Sequence, residues 1–360
     1  MKHNAKRVSR FIVGASTLAF LLWISVGGSW LWWVNATAPV GGRNKTVLVQ
    51  VPEGATADAI GQQLQSLGLI HSLAAWKLWA RLASLRNAQG SFQTGTYELS
   101  PQASLPLLAQ TIWTGQVKQA SFTIPEGWSL KQMAEYFEAQ GWFSADAFVQ
   151  ATQQIPRDRF TWLPQNLPFL EGFLFPDTYQ IPLDQRSQPQ LVIDAMLKRF
   201  ETEALPLYQN RKGFPELSLN DWVTLSSVVE KEAVVAQERP LIAGVFWNRL
   251  RDGITLGSDP TVEYGLGIKQ TQDQPLTLAQ VHTPSPYNTY INPGLPPTPI
   301  ASPGLASLKA VLEPTSTTYL YFVARYDGTH VFSETLADHE RAQAAIRDQQ
   351  DAQRAPSGQT

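Results

Sequence analysis

The chain has 360 residues, no cysteine and a formal net charge of −2 at pH 7. Without cysteine it can form neither disulfides nor thiolate metal sites, and it lacks a cysteine nucleophile. The five histidines do not show the His-Glu-x-x-His spacing of a zinc site, and no basic patch suits nucleic acid, so we expect no metal, no other cofactor and no nucleic-acid partner.

The first feature along the chain is an apolar segment at residues 11–34 that contains no charged side chain. It is long enough to cross about 30 Å of hydrocarbon as a helix. Basic residues precede it, so the positive-inside rule predicts a cytoplasmic arm at 1–10, one transmembrane helix at 11–34, and export of everything that follows. A cleaved signal peptide is the alternative, because Ala36-Thr37-Ala38 resembles a cleavage site. The length of the apolar run favours an uncleaved anchor in the inner membrane.

A linker at residues 35–45 leads into a pattern that occurs twice. In each copy an alternating segment precedes Pro-Glu-Gly, and a helical pattern follows and stops at a glycine. The turn and stop glycines are Gly54 and Gly68 in the first copy, and Gly127 and Gly141 in the second. A strand, a Pro-Gly turn, an amphipathic helix and a glycine C-cap are therefore predicted in both copies.

The first copy is predicted to form a small subdomain at residues 46–118, in which two helices lie on a short sheet. Its second helix is expected at 73–85 and its second strand at 95–99. A further helix is expected at 104–114, where Gly115 ends it.

Residues 119–346 are predicted to form a larger mixed α/β domain, which makes the fold class α+β. A disordered tail is expected at 347–360. Within the larger domain we predict one amphipathic helix at 189–208. Another helix, capped by Asn220 or Asp221, carries Glu232.

Further along, Pro240 is predicted to open a helix that Gly253 ends. Residues 255–304 are dense in Gly, Pro, Asn and Thr and are predicted to be mostly loop, and loops of that length are usually functional. A buried strand at 319–324 and a return strand at 330–332 are predicted to form a hairpin.

The helix that carries Glu232 offers a candidate general acid. One of its faces is formed, at i, i+3, i+4 and i+7, by Leu225, Val228, Val229 and Glu232. A carboxyl group directed at an apolar interior resists ionisation because its charge would be desolvated. Glu232 can therefore keep its proton near neutral pH, as a general acid requires.

Glu230 points about 160° away on the same helical wheel and is predicted to lie nearer solvent. The alternative for Glu232 is a structural role, in which it ends the apolar face and pairs with Arg239 or Arg249. A Ser-His-Asp site is not favoured, because Ser226 and Ser227 lie in the middle of the helix.

The loops after this helix are rich in tyrosine, asparagine and threonine, side chains that suit a sugar. The alternative is a Pro-rich structural loop in which turns account for every Asn and Asp. Sugar hydrolysis commonly needs two carboxylates, and Glu232 with Asp259 is the pair to test. A lytic cleavage needs only one, because the 6-hydroxyl of the sugar itself attacks the anomeric carbon.

Six ordered motifs resemble the YceG-like (MltG) endolytic murein transglycosylases. They are LEGFLFPDTY (170–179), VVEKEA (228–233), ER (238–239), VFWNRL (245–250), SDPTV (258–262) with YG (264–265), and YNTY (287–290) through GLPP (294–297). The resemblance covers nearly the whole chain. It implies a membrane-anchored protein with a LysM-like subdomain and a catalytic domain. Such a protein cuts nascent peptidoglycan between MurNAc and GlcNAc, leaves a 1,6-anhydro end and so terminates glycan elongation.

The same resemblance assigns the catalytic role to Glu232, which the helical face selects independently. The residue after it is Ala233, where related lytic transglycosylases carry a serine hydroxyl. We expect substrate-binding roles for Glu230, Glu238, Asn248, Arg249, Asp259, Thr261, Tyr264, Tyr287, Asn288 and Tyr290. The expected partners are peptidoglycan glycan strands, the membrane and peptidoglycan synthases. The rival functions are a hydrolytic glycosidase and a non-catalytic glycan-binding scaffold.

Overall fold

The structure of the protein is a computed structural model that describes residues 20, 23–42, 45–87, 90–211, 217–271, 274–325 and 327–354. The chain divides into two compact units. The first unit contains Met1–Ala120 and Ile181–Gln185, and the second contains Ser121–Gln180 and Arg186–Thr360.

The first unit is built around a short antiparallel sheet. Its elements are β1 (Val47–Val51), α1 (Ala57–Ser66), α2 (Leu73–Arg86), β2 (Gly95–Leu99) and α3 (Leu105–Trp113). β1 pairs with β2, with Val49 opposite Tyr97. Both the Tyr97 ring and Trp76 of α2 are fully buried, and the Trp76 Nε1 donates to the Ala57 carbonyl at 2.6 Å. The prediction of helices packed on a short sheet is confirmed.

Residues 23–37 are helical, and Trp33 and Ala36 of this helix pack against the core of the first unit. Within the described ranges, no helix combines the length and the apolar character that a membrane span requires. Residues 1–19, 21 and 22 of the predicted arm and transmembrane helix lie outside the described residues.

The second unit is a mixed arrangement of helices and short strand pairs, which confirms the α+β class. Strands β5 (Tyr321–Ala324) and β6 (His330–Ser333) lie in this unit and pair with each other. Strand β3 (Gln119–Thr123) pairs with β4 (Thr178–Pro182), and each of these two strands has two residues in the first unit. The helices of the second unit are α4 (Leu130–Ala139), α5 (Ala145–Gln153), α6 (Pro189–Glu203), α7 (Leu205–Gln209), α8 (Leu219–Glu232), α9 (Arg239–Arg251), α10 (Asp259–Leu266), α11 (Leu278–Val281), α12 (Leu305–Leu312) and α13 (Leu336–Arg354).

Helix α8 runs through the core of the second unit and packs on α12 and α9. Every residue from Trp222 to Val229 is buried. The Trp222 Nε1 donates to the Leu308 carbonyl at 2.9 Å, which fixes α8 against α12. Ser226 and Ser227 are buried and donate to carbonyls one turn back in α8, at 2.7 Å each. Their hydroxyls therefore serve the helix, in agreement with the exclusion of a serine nucleophile.

The two Pro-Glu-Gly copies have the same local geometry. The turn glycines Gly54 and Gly127 have φ of +72° and +74°, and the stop glycines Gly68 and Gly141 both have φ of +67°. After each stop glycine, the next N–H bonds back to the carbonyl five residues earlier, at 2.9 Å and 3.0 Å. This bond is the Schellman C-cap, so the predicted strand, turn, helix and cap are confirmed in both copies.

Two helix boundaries differ from the prediction. The N-cap of α8 is Ser218, whose side-chain oxygen accepts from the Asp221 N–H at 3.1 Å, rather than Asn220 or Asp221. The predicted helix at 189–208 is interrupted at Ala204, which separates α6 from α7. Pro206, in the first turn of α7, has no N–H to continue the hydrogen bonds of α6, which explains the break.

The region predicted to be mostly loop contains α10 and α11. α10 begins with proline in its first turn and ends at Gly267 with φ of +65°, but its eight residues are too few for a clear helical period. Strand β5 begins at Tyr321 and is only half-buried, so the prediction of a buried strand was wrong in that respect. Helix α13 continues to Arg354, so much of the predicted disordered tail is helical.

Gly172 is expected to be essential for the packing between α8 and the loop at Pro299. Its φ is +82°, and a Cβ there would overlap Pro299 Cβ and lie 2.9 Å from Val223 Cγ1. Gly253→Ala is the matched control, because Gly253 has φ of +68° with nothing within 4 Å. The control is expected to lose about 1–2 kcal/mol of unfolding free energy. Gly172→Ala is expected to lose roughly 1–3 kcal/mol more through overpacking, measured by urea unfolding, and equal losses would contradict the argument.

Candidate active site

Glu232 is the last residue of α8, and its carboxyl group contacts the segment just before α10. The Ser258 hydroxyl donates to Glu232 Oε1 at 2.6 Å. Burial of the carboxyl raises the pKa of Glu232 to about 7, and the nearby Asp259 and Glu263 charges act in the same direction. The Ser258 hydrogen bond and the Arg249 charge oppose this shift. The residue as a whole is partly exposed.

Ser258 was not among the predicted site residues. It is 1% exposed, and its backbone N–H donates to Thr289 Oγ1 at 3.0 Å. Thr289 Oγ1 lies 2.8 Å from Thr261 Oγ1, so the predicted site residue Thr261 helps to hold the loop. The hydroxyl that Ala233 lacks next to Glu232 is thus supplied by a residue from another element.

Asp259 and Tyr290 form a polar pair beside Glu232. The Tyr290 hydroxyl donates to Asp259 Oδ1 at 2.6 Å, and the Gln270 Nε2 donates to Asp259 Oδ2 at 3.3 Å. Burial and the Asp259 charge raise the pKa of Tyr290, so its hydroxyl stays protonated. Tyr290 as a whole is 38% exposed. Asp259 therefore has both oxygens engaged, while Tyr290 keeps part of its surface accessible.

Arg249 joins three segments near the site. It donates to the Thr255 and Leu256 carbonyls at 3.0 Å and 3.1 Å and also to the Leu320 carbonyl. Its guanidinium lies 4.8 Å from the centre of the Tyr321 ring. The predicted site residue Arg249 thus holds the loop before Ser258 in place and adds a positive charge near Glu232.

The prediction that Glu230 lies nearer solvent was wrong. Its side chain is 6% exposed and accepts from the Arg239 guanidinium at 3.2 Å. It also accepts from the Gly304 N–H at 3.0 Å and the Ser307 hydroxyl at 2.6 Å, both at the start of α12. The helical wheel assumes that the side of α8 that carries Glu230 faces solvent, but the start of α12 covers that side. Arg239 is consequently the partner of Glu230 and not of Glu232.

Three other predicted site residues use their polar groups within the protein. Glu238 Oε2 lies 2.7 Å from His330 Nδ1, which ties the start of α9 to β6. The Asn248 amide donates to the Thr317 and Tyr319 carbonyls. The Asn288 amide donates to the Val281 carbonyl at the end of α11 and to the Thr283 carbonyl just after it, at 2.8 Å and 2.9 Å. These groups position loops and strands.

Tyr264 and Tyr287 belong to a second polar cluster, centred on Glu171. The Tyr264 hydroxyl donates to Glu171 Oε2 at 2.9 Å, and the Tyr264 and Tyr287 rings lie 4.8 Å apart. Glu171 is 2% exposed and accepts from the Leu130 N–H at 3.0 Å, at the start of α4. Burial raises the pKa of Glu171 to about 8. The only sequence signal for this residue is an acid inside the apolar LEGFLF run.

Among the residues with described positions, no group of three or more His, Asp or Glu side chains could hold a metal ion.

A family model places the chain among known proteins. The YceG-like family model matches residues 49–345. The chain belongs to the YceG-like family. The matched segment includes Glu232, Ser258 and the loops around them, so the site described above lies in the part of the chain that the family shares.

Similar proteins from two bacteria carry an activity in their names. This YceG-like chain is 31% identical, over 331 residues, to the endolytic murein transglycosylase of Bacillus subtilis (strain 168), which covers 88% of this chain and 89% of the relative. It is 30% identical to the endolytic murein transglycosylase of Streptococcus pneumoniae serotype 2, over 93% of this chain and 64% of that longer relative.

The fold is also similar to a solved structure. The crystal structure of a yceG-like protein from Listeria monocytogenes matches 83% of this chain and all of that chain, with 29% identity and a TM-score of 0.53. The YceG-like assignment therefore agrees between sequence and fold.

The raised pKa of Glu171 predicts a pH-dependent stability. Its folded-state pKa is about 8 against an ordinary 4.5, so the native state binds more protons than the unfolded state between those values. The free energy of unfolding is highest below pH 4.5 for this group and falls as pH rises to about 8. Glu171→Gln, which is permanently neutral, is expected to flatten this slope in urea unfolding. Glu135→Gln, on the exposed face of α4, is expected to leave it unchanged, and a slope unaffected by Glu171→Gln would contradict the assignment.

Proposed function

We propose that this YceG-like protein is an endolytic transglycosylase of peptidoglycan. It cleaves the β-1,4 bond between MurNAc and GlcNAc within glycan strands and leaves a 1,6-anhydro-MurNAc end. The family membership and the activity named for the relatives support the reaction. The observation that carries it is the partly exposed Glu232, whose pKa is raised to about 7 at the end of a buried helix.

In the first step, protonated Glu232 donates its proton to the glycosidic oxygen as the bond to the MurNAc anomeric carbon breaks. The GlcNAc hydroxyl leaves, and positive charge develops at the anomeric carbon. In the second step, the Glu232 carboxylate takes the proton from the MurNAc 6-hydroxyl while that oxygen bonds to the anomeric carbon. Glu232 ends protonated again, no water is consumed, and one carboxyl group serves as acid and then as base.

The surroundings of Glu232 suit both steps. A pKa near 7 keeps the proton available at neutral pH without making its loss too costly. The Ser258 hydroxyl stabilises the carboxylate that exists between the two steps. The Asp259 carboxylate, which is held by Tyr290 and Gln270, faces the positive charge that develops on the sugar. We assign the ring of Tyr290 to stacking on a sugar.

A hydrolytic glycosidase is the second candidate function, because Glu232 and Asp259 are neighbouring carboxylates. Hydrolysis would need Asp259 to activate water or to attack the sugar. Its two oxygens already accept hydrogen bonds from Tyr290 and Gln270, which favours the lytic reaction. Mass spectrometry of products from purified glycan strands separates the two, since an anhydro end is lighter than a reducing end by one water.

The proposal extends to location and organisation. We propose an anchor at residues 11–34 with a cytoplasmic arm, an exported LysM-like subdomain at 46–118, and a catalytic domain at 119–346. Support comes from the charge pattern of the N-terminus, and from the position of peptidoglycan outside the cytoplasmic membrane. Termination of glycan elongation and contact with peptidoglycan synthases belong to the same proposal.

The Glu232→Gln variant is expected to lose activity and keep its stability, whereas the Glu230→Gln variant is expected to lose stability. Glu232→Gln removes the acid and base, so formation of anhydro products is expected to fall by about 10²–10⁴-fold or more, with the melting temperature retained. Glu230→Gln leaves the partly buried Arg239 without its carboxylate and is expected to lose about 3 kcal/mol of unfolding free energy. An active Glu232→Gln enzyme, together with an inactive but fully stable Glu230→Gln enzyme, would refute the assignment.

Ser258→Ala and Asp259→Asn are expected to move the pH profile in opposite directions. The Ser258 hydrogen bond lowers the pKa of Glu232 and the Asp259 charge raises it. In the pH profile of kcat/KM, the fall in activity at high pH reports loss of the Glu232 proton. This fall is therefore expected at higher pH in Ser258→Ala and at lower pH in Asp259→Asn. Both variants are expected to give anhydro products. Shifts in the same direction, or loss of all product with Asp259→Asn, would favour a direct role of Asp259.

A further inference from the structure

Helix α2 turns a row of leucines away from the core of the first unit. Leu78, Leu82 and Leu85 are 41%, 43% and 75% exposed, and their i, i+4, i+7 spacing places them on one face. The opposite face carries the buried Trp76 and Ala80. Single exposed leucines are ordinary, but a continuous apolar row on one helix is typical of a surface that another phase or molecule covers.

Basic side chains border this leucine row. Helix α2 contains Lys77, Arg81 and Arg86 and no acidic residue. Lys77 pairs with the exposed Asp58 of α1 at 2.6 Å. Arg81 and Arg86 have no ion-pair partner in the part of the chain that the structure describes. Leucines on one face with arginines along its borders are the pattern of a helix that lies in a membrane interface.

The helix at residues 23–37 extends the same apolar surface. A groove of about 540 Å³ is lined by Trp30, Trp32 and Trp33 together with Leu78 and Leu82. Trp30 and Trp32 are exposed, whereas Trp33 packs on the core of the first unit. Tryptophan rings favour the headgroup region of a bilayer. The tryptophans and the leucine row therefore share one preferred environment.

We propose that α2 binds the lipid bilayer as an interfacial helix. Leu78, Leu82 and Leu85 insert at the boundary of headgroups and acyl chains, and Arg81 and Arg86 bind anionic headgroups. Two observations identify the occupant as lipid: the leucine row is continuous with the tryptophan end of the predicted anchor, and the arginines complement anionic phosphate. The inference rests on the proposed membrane location and is independent of the role of Glu232.

This contact would add a second membrane attachment to the predicted anchor. An N-terminal anchor alone attaches the first unit to the bilayer at one end only. A second contact along α2 holds the first unit flat on the bilayer, because both attachments must be satisfied at once. The membrane would then set the orientation of the first unit.

The absence of cysteine allows a direct test with the full-length chain. Leu82→Cys and, as a control, Gln62→Cys on the exposed part of α1 are each labelled with an environment-sensitive fluorophore. Both proteins are reconstituted in vesicles of phosphatidylglycerol and phosphatidylcholine, with and without a lipid that carries a nitroxide quencher on its acyl chain. The label at 82 is expected to shift to the blue and to lose at least half its emission to the quencher, while the label at 62 changes little.

A charge variant tests the headgroup contact. Arg81→Glu with Arg86→Glu, in the Leu82→Cys background, is expected to reduce quenching at least twofold in vesicles with phosphatidylglycerol. Equal quenching at positions 82 and 62 would overturn the proposal. A blue shift at 82 without quenching by lipid would also overturn it, because a protein would then cover the face.

The same variants are assayed for anhydro products with soluble glycan strands. Turnover is expected to be unchanged in all of them, since the altered residues belong to the first unit and the Glu232 site belongs to the second. Absence of quenching at position 82 in the Leu82→Cys protein that keeps Arg81 and Arg86, with normal turnover, would refute the membrane contact alone. Inactivity of the unaltered chain would count against the proposed function alone.

Discussion

The Glu232 carboxyl lies at the end of a helix whose middle, from Trp222 to Val229, is buried. The groups that act on its proton constrain the elements around it. The C-terminal end of α8 carries a partial negative charge, which disfavours a carboxylate there. Asp259 and Glu263 add to that effect, while the Ser258 hydroxyl and the Arg249 charge act against it. Such a balance persists only if α8 and the Ser258 loop cannot shift. Trp222 fixes the helix through its bond to α12, and Arg249 fixes the loop.

Two glutamates in one turn of α8 have contrasting environments. Glu230 has a cation, a backbone N–H and a hydroxyl around its carboxylate, all within 3.2 Å. Glu232 has the Ser258 hydroxyl and partial access to solvent. The first arrangement joins α8, α9 and α12 and leaves the Glu230 carboxylate well satisfied. The second arrangement leaves the ionised Glu232 carboxylate with few hydrogen-bond partners. A group that must release and regain a proton requires such an environment.

Local patterns predicted much of this fold, since strands, helices and glycine caps depend on neighbours in sequence. The same reasoning selected Glu232, because its helical face is a local property. It misplaced Glu230, because the α12 residues that cover it are more than seventy positions away. It missed Ser258, whose contact with Glu232 depends on how the loop after α9 folds back. It also missed α10, because eight residues with proline and glycine at the ends resemble loop composition.

The first unit includes Ile181–Gln185 as well as Met1–Ala120, so the chain passes between the units three times. Strands β3 and β4 contain two of these passages, and Leu183 donates to the Lys118 carbonyl at 2.9 Å within the first unit. A single recombination event cannot replace the first unit with another domain. The separate segment Ile181–Gln185 belongs to the same unit and would have to be replaced as well. The two units are therefore expected to be inherited together.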